Sequence, residues 1–371
     1  MREIKTTPFY SKKLGKLAKG CQMCIKGEKL VLYITGLCPR KCWFCPLSEK
    51  RKNKDIIFLN EWETDSLDDL IKEVKLCQSK GAGITGGDPL IKLDRTLKYI
   101  KILKQNFSKN FHIHLYTSFD LVTQDNLKKL YNQGLDEIRF HPDLDDKSLW
   151  EKIEFAQKYK WDIGIEIPCI PNKEKEIKEI CDYFNRKINF LNLNEFETSE
   201  YSFENMDKQK FITKSDISYA IKGSQNLANK ILRYCKNKAF NVHYCSAKLK
   251  DKVQMTNRLK LRAQNVKTKY DIITKEGTLY RGIIYLKNFN SYELKTKIYD
   301  KTQILNQLKE KKDFLTKEGL DITIDKKKLR LITYPEHIEQ FSEILKSLDL
   351  IPTLIEEDPS SEQFELNIDY L

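Results

Sequence analysis

The chain has 371 residues, 40% of them hydrophobic and 32% charged, with a formal net charge of +13 and ten cysteines. That length and composition suit a folded protein with one large α/β domain and a smaller one, and no run of 18 apolar residues suggests a membrane span. Cysteines this sparse exclude a disulfide scaffold. The early ones cluster, which favours metal ligation in a reducing, cytoplasmic compartment, an expectation supported by the lack of an apolar signal-like stretch in the first residues.

Residues 1–20 are short, basic and weakly patterned. Cys21 and Cys24 follow as a Cys-x2-Cys pair between Gly20 and Gly27, read as a turn that supplies half of a tetrahedral metal site. The apolar run Leu30–Ile34 reads as a buried strand ended by Gly36, and Cys38, Cys42 and Cys45 come directly after it. Three thiolates this close meet the needs of a metal or iron–sulfur centre. A zinc site with one ligand supplied from elsewhere is the structural alternative.

Strand and helix patterns then alternate. Strands are expected at 81–85, 111–117, 136–140, 162–168 and 188–193. Helices are expected from a cap at Thr64–Ser66 to about Gln78, and at 93–107, 123–132, 145–159 and 173–186. Six strands joined by short helical crossovers form a parallel α/β sheet. Beyond residue 200 the rhythm changes: a helix at 217–236, the ligand-rich heptapeptide Phe240–Ser246, and a basic stretch from Lys248 to Lys269. From Tyr270 onward the pattern is a small α+β unit with strands at 271–274, 279–285, 320–324, 329–333, 353–356 and 364–368, and helices near 301–312 and 335–348. The expected divisions are an N-terminal arm (1–29), a barrel (30–200), a post-barrel segment (201–269) and an accessory domain (270–371).

The Cys38-x3-Cys42-x-Phe44-Cys45 pattern resembles the radical S-adenosylmethionine (SAM) superfamily, in the branch of pyruvate formate-lyase activating enzymes. The resemblance implies a partial (β/α)6 barrel with the cluster loop at the C-terminal rim of its first strand. It also implies a 4Fe-4S cluster on the three cysteines, an open iron that binds SAM, and Phe44 near the adenine. Gly86-Gly87-Asp88 resembles the superfamily's glycine–glycine–acid turn that approaches the SAM amino group. By the same analogy Ser118, Arg139, Glu166, Asn192 and Asn194, at strand ends, touch SAM or substrate.

Cys21 and Cys24, with Cys235 and Cys245, could complete a second site for zinc, iron or an auxiliary iron–sulfur cluster, clipping the arm to the post-barrel segment. His243 lies beside Cys245. His112 and His114 share a strand face but lack matching acids and read as structural, as do Cys77 and Cys181. The reading for function is a radical SAM enzyme modifying a macromolecule such as tRNA, which the basic charge favours, with a reductant or electron-transfer protein as partner. Two alternatives stand: an activase that installs a glycyl radical on a partner enzyme, and a non-enzymatic zinc-bound nucleic-acid-binding protein.

Overall fold

A computed structural model describes residues 2–296 and 299–371. The chain forms two compact units, divided between Arg258 and Leu259.

The first unit is built on one eleven-stranded sheet. Its centre is a run of parallel strands: β3 (Lys29–Tyr33), β6 (Gly81–Thr85), β7 (His112–Ser118), β8 (Glu137–His141), β9 (Asp162–Cys169), β10 (Phe190–Glu195) and β11 (Asn241–Cys245). The six strands expected from sequence are all present, within about two residues at each end. The heptapeptide around His243 adds a seventh, paired parallel to β10 with Asn192 opposite His243 and Asn194 opposite Cys245.

Two antiparallel flanks extend the sheet. The N-terminal arm, weakly patterned in sequence, folds as the hairpin β1 (Ile4–Thr6) and β2 (Lys12–Leu14), and β2 pairs with β11. At the other edge β4 (Phe58–Leu59) and β5 (Trp62–Glu63) continue from β3. The sheet ends at β1 and β5 without joining them, so the barrel is partial.

Period-two alternation gives the strands two unlike faces. Leu32, Ile84, Leu115, Ile138, Ile165, Leu191 and Val242 face outward into the main core, all of them fully buried. That core packs under α2 (Leu67–Leu76), α3 (Leu93–Phe107), α4 (Gln124–Gln133), α5 (Ile153–Ala156), α6 (Glu174–Tyr183) and, after α7 (Phe203–Lys208), α8 (Ser224–Tyr234). The inward face is polar and lines a cavity.

Cys21 and Cys24 lie in a helix, α1 (Lys19–Lys26), and not on a turn. Gly27 closes this helix in the left-handed conformation at φ 74°, donating back to Cys24 and Met23 carbonyls. A side chain on Gly20 would stand 2.5 Å from Arg139 Nη2, and one on Gly81 would meet Met23, so α1 sits hard against the strands' N-terminal ends. After β11 come α9 (Ala247–Leu249), a π-helical turn from Lys250 to Met255, and α10 (Thr256–Val266).

The second unit is an antiparallel sheet in the order β14 (Ile322–Asp325), β15 (Arg330–Thr333), β13 (Leu279–Leu286), β16 (Leu350–Glu357), β17 (Glu365–Tyr370), with β12 (Ile272–Ile273) also on β13. After the short α11 (Ser291–Thr296), α12 (Lys301–Lys317) and α13 (Pro335–Ser347) bury Leu308, Leu315, Ile338 and Leu345 in its core. Arg330, fully buried, is held by Glu357 at 2.7 Å and Glu365 at 3.2 Å. Among the described residues, no helix is long and apolar enough to cross a membrane.

Candidate active site

The polar face of the first unit's strands encloses a cavity of about 470 Å³. Its walls follow the alternation strand by strand: Tyr116 and Ser118 on β7, Arg139 and His141 on β8, Glu166 and Pro168 on β9, Asn192 and Asn194 on β10, His243 and Cys245 on β11. Cys38, Cys42 and Cys45 line the same space, with Phe44, Gly86 and Gly87.

The cluster loop is fixed from several sides. Thr35 and Leu37 accept from the Gly87 and Asp88 amides at 2.7 and 2.8 Å, so the glycine turn pairs with the backbone that leads into Cys38. A Cβ on Gly87 would lie 2.2 Å from the Leu37 carbonyl oxygen, and one on Gly86 2.4 Å from that of Thr35. Only glycines allow this approach. Arg40, inside the loop, donates to the His141 carbonyl at 3.0 Å and pairs with Asp143. Ser199 Oγ donates to the Cys45 carbonyl at 3.0 Å. Phe44 packs beside His141 and Phe196, with ring centroids 6.0 and 6.4 Å apart.

Asp88 is placed differently from the expected cofactor contact. Its carboxylate is fully buried and absent from the cavity wall. It accepts from Leu90 N (3.0 Å), Thr117 Oγ1 (2.8 Å), Ser118 N (3.1 Å) and Ser118 Oγ (2.8 Å). These donors consume its acceptor capacity, so it ties the glycine turn to the end of β7 instead of reaching a ligand.

Deeper in the cavity a network built around two charged pairs crosses four strands, β7 to β10. Arg139 Nη1 meets Glu166 Oε2 at 2.9 Å and its Nε meets Glu137 at 2.6 Å, while Tyr116 Oη accepts from Arg139 at 3.0 Å. Asn192 and Asn194 donate to the two Glu166 oxygens at 2.8 and 3.0 Å. Burial alone would raise the Glu166 carboxyl, but the Arg139 charge and the amide donors outweigh it and hold the group below its ordinary range. Burial, then the Arg40 charge, pushes His141 down to about 4, and burial does the same to His243, leaving both imidazoles neutral.

Of the other cysteines, Cys21, Cys24 and Cys245 reach this cavity and Cys235 does not. Cys235 is fully buried behind β10 and β11, with its sulfur 3.5 Å from that of Cys181, so the expected set of four sulfurs is not brought together. The reason is position: Cys235 ends α8 on the sheet's apolar face, whereas Cys245 points inward from β11. His112 faces Glu137 at 3.5 Å, and His114 packs on Tyr116 outside the cavity lining, fully buried with neither ring nitrogen hydrogen-bonded. Among the described residues no three His, Cys, Asp or Glu side chains are already drawn together as a metal-holding group, the cluster-loop thiols included.

Sequence reasoning passed over Tyr116, Arg40, Lys29 and Gln254, which all line the cavity. Period two from Ser118 would have found Tyr116; nothing local marks Lys29 or Gln254.

The cluster loop fits the iron–sulfur centre that its pattern implies. Three partly exposed thiols open on one cavity, beside a turn that excludes side chains. Burial raises Cys38, to about 11, and Cys42, so loading a metal has to drive protons off these thiols.

A parallel partial barrel with three loop cysteines at its rim defines a class, and comparison with known proteins agrees. Residues 32–184 match the Radical SAM superfamily. A relative from Methanocaldococcus jannaschii, named "Putative glycyl-radical enzyme activating enzyme MJ0021", is 41% identical over 353 residues, covering 92% of this chain and 94% of its own. The chain therefore belongs to the radical SAM superfamily and is a radical SAM enzyme. Among solved structures, methylornithine synthase (PylB) is similar at 11% identity and a TM-score of 0.39, over 59% of this chain and 69% of that one. Coproporphyrinogen III oxidase (HemN) from Escherichia coli is similar at 13% identity and 0.37, over 59% and 56%. Likenesses at this level carry no argument about substrate.

Proposed function

We propose that this enzyme is an activase that removes a hydrogen atom from a glycine of a partner protein, leaving a glycyl radical there. Cys38, Cys42 and Cys45 would hold a 4Fe-4S cluster, which when reduced would supply the electron that cleaves SAM to methionine and a 5'-deoxyadenosyl radical, the species that would take the glycine hydrogen and end as 5'-deoxyadenosine. The observation that carries the choice of substrate is the near full-length similarity to the relative named for that activity.

This chain's residues have separate tasks in that reading. Gly86 and Gly87 let the SAM methionine end approach the backbone, with Asp88 bracing the turn from behind. Phe44, supported by Phe196, offers an aromatic edge to the adenine. Arg139 and Glu166, with Asn192 and Asn194, present fixed donors and acceptors to the rest of the ligand, and Ser118 stands at the rim between them.

The segment from Ser199 to Lys222 supports a protein partner. It is tied to the cluster loop through Ser199 and Cys45, and through Asn205, whose amide donates to the Trp43 carbonyl at 3.4 Å. Yet it leaves Phe203 61%, Ile212 60% and Ile217 97% exposed. Apolar side chains left in water beside a catalytic mouth suit a protein contact.

The net charge of +13 favours RNA as a second reading. One experiment separates the two. Reconstituted enzyme, dithionite and SAM are combined with a glycyl-radical enzyme in its unactivated form, or with total tRNA. The activase reading expects an organic-radical EPR signal on the partner that narrows when its glycine is α-deuterated. A covalent change in RNA, with no radical on protein, contradicts it.

A further inference from the structure

We infer that the chamber holds a second, thiolate-rich metal centre, bound by Cys21, Cys24, His243 and Cys245. The inference is independent of which substrate the enzyme takes.

The four side chains come from two elements whose geometry suits them to ligation. Cys21 and Cys24 are three apart on α1 and so share a face. His243 and Cys245 are two apart on β11 and so point to the same side, the inward one. Cys21, Cys24, His243 and Cys245 all line the cavity. His243 is only 2% exposed, yet neither of its ring nitrogens has a hydrogen-bond partner. A buried imidazole with two idle nitrogens, aimed into a cavity beside three thiols, lacks a ligand. The Asn192 carboxamide oxygen, next to it in register, is likewise buried without a partner.

The surroundings fit sulfur anions. Arg139 Nη2 and Asn192 Nδ2 donate to Cys21 Sγ at 3.5 and 3.3 Å, the kind of contact that tunes a metal-bound thiolate. Gln254 occupies the space between the other two sulfurs. Its Oε1 accepts from Cys24 Sγ at 2.8 Å, and its Nε2 donates to Cys245 Sγ at 3.7 Å. It stands on the π-helical turn, an irregularity that often marks functional positions. The carboxamide is thus a placeholder in the thiol form, which a metal displaces as the thiols give up their protons. Three sulfurs and one imidazole nitrogen form a soft donor set, apt for zinc or an iron–sulfur cluster.

The test counts metal. The full-length variant with Cys38, Cys42 and Cys45 all replaced by alanine is prepared anaerobically. It is offered zinc, cobalt(II), or iron with sulfide. The inference expects about one zinc or cobalt equivalent per chain, with sulfur-to-cobalt charge-transfer absorption, or else iron and sulfide. Which arm loads identifies the metal. Adding Cys24→Ser, or His243→Ala, is expected to lower the bound metal at least tenfold, whereas Cys235→Ala leaves it unchanged. The same increment is expected to vanish from the otherwise wild-type Cys24→Ser chain, so the result does not require the triple variant to fold. Absence of metal in every arm, or metal that survives Cys24→Ser combined with Cys245→Ser, overturns the inference. Neither outcome involves SAM or a partner protein, so the activase reading stands or falls separately.

Discussion

Arg139 on β8 and Glu166 on β9 meet at 2.9 Å inside the barrel, with the arginine side chain 2% exposed and Glu137 held on its other edge. An ion pair removed from water this thoroughly is costly to break from one side, because the remaining charge stays buried. Arg139→Met strands two carboxylates and is expected to lower stability by about 3–5 kcal/mol. Urea unfolding measures it, and a loss under 1 kcal/mol would show that the network is solvated.

The same pair sets a pH dependence. Glu166 is held below its ordinary range when folded, so it contributes stability above the unfolded-state value of about 4.3, and that contribution is lost as the pH falls through the lower folded value. Glu166→Gln removes it. The gap in unfolding free energy between wild type and Glu166→Gln is therefore expected to be widest near neutrality and to shrink below about pH 4. A gap that grows toward acid would mean that the sign is wrong.

Asp88 acts as a brace. Asp88→Ala leaves the Ser118 and Leu90 amides without their acceptor and takes one from the Ser118 hydroxyl, while Thr117 keeps the Ser118 carbonyl, at a cost of about 1–3 kcal/mol. SAM affinity, followed by isothermal calorimetry on the reconstituted enzyme, is expected to fall with it, because the Gly86–Gly87 turn loses its anchor. Unchanged affinity would separate the turn from SAM binding.

Gly87→Ala probes the same turn from the other side. Its new Cβ would meet the Leu37 carbonyl oxygen at 2.2 Å, and its nearest neighbours are all backbone atoms of Gly36 and Leu37, which leaves little room to yield. Overpacking of this kind costs about 1–3 kcal/mol. Iron content per chain and SAM cleavage are expected to drop together while circular dichroism stays the same. Full iron loading in the variant would contradict the close approach.

Most of the barrel could be read from the sequence because its strands are apolar on the face that enters the core and alternate with helices that bury one face against it. Ser66 and Thr123 cap α2 and α4 as their types suggest. What escaped was short or shared. The β1–β2 hairpin is three residues a side, and it joins the sheet through the pairing of β2 with β11, far along the chain. The β11 strand itself carries Asn241, His243 and Cys245 on one face, and those polar residues masked the Val242 and Tyr244 face that packs outward. The cysteine triad was legible because its ligands are adjacent. The role of Asp88 was not, since its donors come from Thr117 and Ser118 about thirty residues away. Nor could spacing reveal that Cys235 pairs with Cys181 on the far side of the sheet.

The exposed rim offers a test of partner docking. Ile217 is 97% exposed, so Ile217→Asp is expected to change stability by less than about 0.5 kcal/mol. If a protein partner seats there, radical transfer to it slows while SAM cleavage alone does not. Equal rates of transfer for wild type and variant would remove the rim from the docking surface.

The most direct test of the central claim is the yield of 5'-deoxyadenosine per chain from anaerobically reconstituted enzyme given dithionite and SAM. The account expects formation by the wild type and none above background by Cys42→Ala, with both proteins folded. Equal yields from the two, or a wild-type chain that binds iron and sulfide at the loop yet leaves SAM intact, would contradict it.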